Sequence, residues 1–251
     1  MSLQKILTSR HRGKARFLWM ALSVAVAGCM TYPASPTAPS NAIPAQFPTA
    51  RYAAMAPNSV YTIKDAELLI KTYPAGWLKR LSHSHAMTTE QIGGLIYMAN
   101  SVDASFADLY MRPYDLVIDA ADVRAALGAG FERRRSDRAK AATRARMLGS
   151  RMLSATEYPF VHVHVQPRTH TALLSIRLKA DEHHATVPLT WARQGDCLFV
   201  ASRFTLSHRD LALRGYYAFL GAIGVAEDID FELRILAARG TNPACDKLPN
   251  D

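Results

Sequence analysis

Apolar and polar positions alternate along most of the second half of the chain. Ile229, Phe231, Leu233 and Ile235 fall on one face, and Asp230, Glu232 and Arg234 on the other. A period of two is the signature of a strand buried on one side only. Upstream, Leu198, Val200, Phe204 and Leu206 share a face interrupted by Ser202, and Leu174, Ile176 and Leu178 oppose Ser175, Arg177 and Lys179. Ala185, Val187, Leu189 and Trp191 form another such face, in which Pro188 predicts an edge or irregular position. Strand-like text also covers 60–72, 77–88, 92–99 and 160–165, with a short piece at Leu116 and Ile118. Tyr73-Pro74-Ala75-Gly76 reads as a turn, and Gly93-Gly94 predicts a bulge or strong bend. Strands of this number and spacing predict an all-β protein: a single antiparallel barrel of about eight strands, large enough for a ligand-sized interior.

Two stretches break the pattern. Between 120 and 157, Ser136 is placed to cap an Ala-rich helix through Leu148, with Gly149 past its end. Nine basic residues from Arg124 to Arg151 face only Glu132 and Asp137, so this short helical insertion holds most of the positive charge. A solvated face accounts for it; contact with anionic headgroups is the alternative. From 30 to 57 six prolines stand among Ala, Ser and Thr with almost no large apolar residue, which predicts an extended spacer.

The formal charge of +9 changes meaning once its location is known. Lys5, Arg10, Arg12, Lys14 and Arg16 precede FLWMALSVAVAG, an apolar run of 12 residues, too short to span a bilayer and bounded by small residues. That is the layout of a secretory signal. Without those five, 25 basic residues oppose 21 acidic, and a nucleic-acid partner is not expected. The exit, Val26-Ala27-Gly28-Cys29, resembles the lipobox of bacterial lipoproteins, which implies acylation (palmitate among the chains) at Cys29; plain cleavage after Ala27 is the alternative. Met30 after the cysteine implies the outer membrane, periplasmic face. The expected division is 1–28 signal peptide, 29–57 tether, 58–240 barrel and 241–251 tail. Cys197 and Cys245 then remain as an even pair in an oxidising compartment, either bridged or left as two thiols. A bridge closing about 50 residues is worth roughly 4 kcal/mol in the chain-entropy account.

The order of the pieces resembles a known family. TVPLTW, then FTLSHRDLALRG, a connection, and GVAEDIDFELRILAA as the last strand resemble the C-terminal half of the YceI-like family of secreted bacterial proteins. VYTIKDAELLIKTY resembles its opening strand and MLSATEYPFVHVHV its Tyr-Pro segment. The resemblance spans about residues 60–238. It implies a lipocalin-like barrel that holds polyisoprenoid lipid.

The chemistry expected is therefore binding. No nucleophile elbow, zinc-protease helix or phosphate-binding glycine loop occurs, so an enzyme is not expected. The apolar pocket is assigned to Leu174, Ile176 and Leu178; to Leu198, Val200, Phe204 and Leu206; and to Ile229, Phe231, Leu233 and Ile235. Burying a methylene gives roughly 0.8 kcal/mol, association costs about 4 to 15, and micromolar affinity needs about 8 net. About twenty buried carbons are then required, which selects an isoprenoid, quinone or similar long tail with no further cofactor. His83 and His85 share a face with Leu81 and Met87 and are assigned as polar pocket groups, while His162 and His164 oppose three valines and face water. His183 and His184 read as a surface turn. Two rival readings remain: an anchored structural or interaction protein with a packed barrel, and a metal- or haem-binding protein using His83, His85, His162 and His164.

Overall fold

The computed structural model describes residues 43–215, 217, 218, 221–240, 245, 247 and 248. The signal, Cys29, the first part of the tether and most of the tail lie outside the described residues. The elements run α1 (Thr49–Ala53), β1 (Val60–Ala75), β2 (His85–Thr89), β3 (Ile92–Tyr97), β4 (Phe106–Met111) and β5 (Val117–Ile118). They continue α2 (Ala121–Leu127), α3 (Asp137–Leu148), β6 (Val161–Pro167), β7 (Thr171–Leu178), β8 (Asp181–Pro188), β9 (Thr190–Gln194), β10 (Cys197–Ser207), β11 (Tyr217–Ala218) and β12 (Ile223–Ala238).

Every pairing is antiparallel, and the sheet order is β8-β7-β6-β4-β3-β1-β12-β10-β9. Several labelled strands are halves of one stave. β2 pairs the far part of β1 and β3 its near part, so 85–97 follows β1 as a single line broken at Glu90-Gln91. β4 pairs β3 and β5 pairs β2, with a turn between them. The two sheet edges, β8 and β9, are likewise consecutive and separated by Leu189 alone. Pro188, at that break, has no N–H to offer the ladder, and its carbonyl accepts from the Ser202 hydroxyl of β10 at 2.6 Å. The sheet thus curls through eight staves in chain order into a lipocalin-like antiparallel barrel.

The bends lie elsewhere than Gly93-Gly94. β3 keeps an unbroken register with β4 across both glycines, whereas β1 shifts register between Ile63 and Asp65 and again between Thr72 and Pro74. The glycines are there for close approach. A Cβ on Gly93 would stand 2.3 Å from the Tyr110 ring, and one on Gly94 would stand 2.4 Å from the Asp108 carbonyl oxygen. Residues 73–75 are also strand, not turn; the chain reverses at Gly76, whose φ of 90° lies in the left-handed region.

The outer wall is polar where it is bare: Lys71 and Arg203 hold Glu232, and Tyr73 and Thr205 hold Asp230. Elsewhere the outer wall carries apolar groups and is covered. The spacer assignment fails for 43–57, because Phe47 and Tyr52 are buried against Phe106 and Tyr110 on the outside of β4. On the other side, Cys197 and Cys245 form a disulfide, and Leu248 packs with them over Leu236 and Ala238. Ser136 caps α3, accepting from the Ala139 N–H at 3.3 Å, and the helix ends by burying Met147 and Leu148 with Leu116 and Ile118.

Candidate functional site

The inward side chains do not meet across the barrel axis. They enclose a cavity of about 290 Å³ that spans the barrel and has an almost wholly apolar lining. All eleven residues assigned from the sequence line it: Leu174, Ile176 and Leu178 on β7, Leu198, Val200, Phe204 and Leu206 on β10, and Ile229, Phe231, Leu233 and Ile235 on β12. Strict alternation is the cause, since each inward residue is two from the next and strand neighbours in register face the same way. Phe204 and Phe231 occupy one register row and stack at 5.1 Å between ring centres. The packed-barrel reading is corrected by this void.

Part of the lining was not anticipated. Val161, Val163 and Val165 of β6 and Leu109 of β4 complete the wall. Met87, Met111, Met147 and Met152 come from a strand, a strand end, helix α3 and the loop after it, and so make that stretch of wall unbranched and polarizable. The polar members are few. His208 is buried, and its Nδ1 lies 2.9 Å from the Glu227 carbonyl. A carbonyl only accepts, so Nδ1 carries the hydrogen and, in the neutral ring, Nε2 is an acceptor. Ser207 to Asp210 form a turn: the Ser207 N–H donates to Asp210 and the Asp210 N–H to Ser207.

His83 and His85 are not among the cavity residues. His85 sits at the first position of β2, in register with the lining residue Thr72, and its Nδ1 donates to Asp119 Oδ2 at 2.7 Å. Asp119 is fully buried and also accepts from the Ala86 N–H at 3.0 Å and from Arg124 Nη1 at 2.6 Å. Burial opposes ionisation of Asp119, but the His85 bond, the Ala86 amide and Arg124 outweigh it and hold its pKa below the usual carboxylate range. His83 packs on His85 with ring centres 4.5 Å apart. Desolvation, then the neighbouring His85 and Arg135, push its pKa down to about 4. At this end of the barrel the two histidines belong to a polar network and not to the apolar lining.

The second histidine pair faces outward, as the opposed valines require. His164 Nδ1 donates to Asp108 at 2.7 Å, and Asp108 also accepts from the Tyr52 hydroxyl at 2.7 Å. His162 is half-buried, and desolvation followed by Arg177 lowers its pKa. The two pairs lie on staves that do not adjoin, and among the described residues no group of three or more His, Cys, Asp or Glu side chains is placed to hold a metal ion. His183 and His184 belong to strand β8, not to a turn: His184 is exposed beside Ser175, while His183 shares the inward face of Ile176. No helix among the described residues is long and apolar enough to cross a membrane.

No family model matches the sequence, and no curated protein does. In fold the chain is similar to solved structures of two bacterial proteins. One is BcnA of Burkholderia cenocepacia, at 11% identity and a TM-score of 0.48, covering 69% of this chain and 96% of that one. The other is the YCEI protein of Campylobacter jejuni, at 7% identity and a TM-score of 0.41, covering 60% and 82%.

Proposed function

We propose that the protein binds one long apolar chain, an isoprenoid, quinone or similar lipid, inside the barrel, and that it does so as a lipoprotein anchored through Cys29 on the periplasmic face of the outer membrane. The observation that carries the reading is the apolar cavity itself, walled by alternate residues of all eight staves. The methionine-rich stretch around Met147 and Met152 is the part of the wall best suited to adapt to such a tail. His208 supplies a single polar acceptor for a headgroup oxygen that carries a hydrogen.

Protein purified from its own host, examined by native mass spectrometry and by organic extraction, is expected to release a long-chain apolar compound at near one per barrel. Protein that carries no such compound and takes up no apolar fluorescent probe overturns the binding reading. The anchor is tested separately, by the mass of the mature N-terminal peptide and by membrane fractionation of a Cys29→Ala chain.

A further inference from the structure

The end of the barrel where β1 stops and β12 starts carries an apolar group of a kind that the cavity does not explain. Trp77 is 79% exposed, Leu81 68% and Tyr217 56%. Single exposed apolar residues are ordinary, whereas a group of them held on one rim is not. The register holds these together. Ala75 and Tyr217 both pair with Gly224, one from each side, so they stand two strand spacings apart, about 10 Å. Trp77 follows two residues after Ala75 and is fixed on both sides: Gly76 lies against the Ala222 carbonyl, and the Leu78 N–H donates to that carbonyl at 2.9 Å. Leu81 closes the next turn, its N–H donating to the Leu78 carbonyl at 2.9 Å. The rim is thus tied to the sheet through backbone pairing and hydrogen bonds, with its large side chains exposed to water.

The same rim is positively charged. Lys79 and Arg80 are exposed between Trp77 and Leu81. The basic insertion comes to the same place: Arg124 donates to the Ser84 carbonyl at 2.9 Å, and Phe131 meets the Tyr73 ring edge-on at 6.1 Å. Arg133, Arg134 and Arg138 follow directly and are exposed, against only Glu132 and Asp137. Arg135 is close enough to His83 to act on its charge. An exposed tryptophan and tyrosine beside a leucine, ringed by Lys and Arg, is the arrangement that seats at a bilayer interface: aromatic rings enter the headgroup layer while cations meet lipid phosphate.

We propose that the rim bearing Trp77, Leu81 and Tyr217, with the basic stretch from Arg133 to Arg138, is a docking face for an anionic phospholipid surface. It acts in addition to any acyl anchor and sets the orientation of the barrel on the membrane. The inference goes beyond lipid uptake by the cavity and does not depend on it.

The test uses the full chain with Trp19 and Trp191 changed to Phe, so that Trp77 is the sole tryptophan. Its fluorescence is read against vesicles of phosphatidylethanolamine and phosphatidylglycerol with brominated acyl chains, and against phosphatidylcholine vesicles brominated in the same way. Bromine quenches only on contact, so an acyl tether alone does not register. The expected result is quenching on the anionic vesicles that weakens with added salt. Arg133→Gln, Arg134→Gln and Arg138→Gln are each expected to weaken anionic-vesicle affinity about fivefold, the effect of about 1 kcal/mol per surface cation. In the chain that keeps all its tryptophans, Leu81→Ser with Tyr217→Ser is expected to lower vesicle affinity with an unchanged unfolding midpoint. A chain that retains only Trp191, which lines the cavity, separates docking from uptake. Quenching of Trp191 without quenching of Trp77, equal quenching of Trp77 on both vesicle types, or no response to the arginine changes overturns the proposal.

Discussion

Three groups converge on Asp119. It is 1% exposed, sits at a φ of 52°, and accepts from His85, from the Ala86 amide and from Arg124, which is itself 4% exposed. Removing the charge leaves a buried guanidinium without its counter-ion, and breaking such a pair costs about 3–5 kcal/mol. Asp119→Asn is the clean version, because Asn tolerates the left-handed backbone that Ala does not. It is expected to lower the unfolding free energy in urea by about that amount, and adding Arg124→Met is expected to recover much of the loss. His83 predicts the pH dependence. Its folded pKa of about 4 lies below the ordinary 6.5, so between those values the unfolded chain binds a proton that the folded chain refuses. Stability is therefore whole above about pH 6.5 and falls as the pH drops towards 4. Asp119, with its lowered pKa, loses its own contribution as the pH falls through its folded value, in the same direction. His83→Gln is expected to flatten the part of a urea-midpoint profile between pH 6.5 and 4, and an unchanged profile counts against this account. The sequence showed that His83 and His85 share a face. It could not show their partner: Asp119 lies 34 residues from His85 in the chain and reaches it only because β5 returns alongside β2.

At the scale of elements, strands with long strict alternation were readable and short ones were not. β7, β10 and β12 bury one face against the cavity, so their pattern is period two almost throughout. β4 escaped notice, because Phe106 and Tyr110 on its outer face are as apolar as Ala107, Leu109 and Met111 on its inner one. The outer pair is covered by Phe47 and Tyr52, so burial on both sides erases the alternation. That covering segment was itself hidden among prolines, where composition outweighed two aromatic residues. The glycines of β3 were correctly singled out and wrongly explained, and the difference is measurable. Gly93→Ala meets the far end of the Tyr110 side chain, which can swing away, whereas Gly94→Ala meets the Asp108 carbonyl at a φ of 158°. Gly94→Ala is expected to lower the thermal midpoint distinctly more than Gly93→Ala. Tyr110→Ala is expected to relieve Gly93→Ala and not Gly94→Ala, as a double-mutant cycle in urea would report.

At the scale of the whole molecule, closure was legible and hollowness was not. The period-two pattern assigns faces and the strand count allows a barrel, but whether inward side chains meet depends on the radius, which comes from how far each stave is staggered. Here the stagger is set by interruptions at Glu90-Gln91 and at Pro188-Leu189 and by the register shifts in β1. Of these only the break at Pro188 shows in the one-dimensional pattern, through a proline that predicts an edge or irregular position. The resulting void makes an unusual prediction about the sign of a mutational effect. Val163 is half-buried, faces inward from the middle of β6 and touches two of the barrel's apolar clusters, so a larger side chain there points into the cavity. In a filled core, Val163→Phe is overpacking and costs about 1–3 kcal/mol. In a hollow barrel the added ring removes empty volume and gains dispersion contacts, so the ligand-free protein should unfold at an unchanged or higher urea midpoint. The same ring occupies space that a lipid tail needs, and uptake of an apolar probe should fall at least about tenfold, the equivalent of losing roughly two buried methylenes. Because stability and binding move in opposite directions, a Val163→Phe chain that loses both describes a packed core. One that keeps its stability and loses only the probe describes a container.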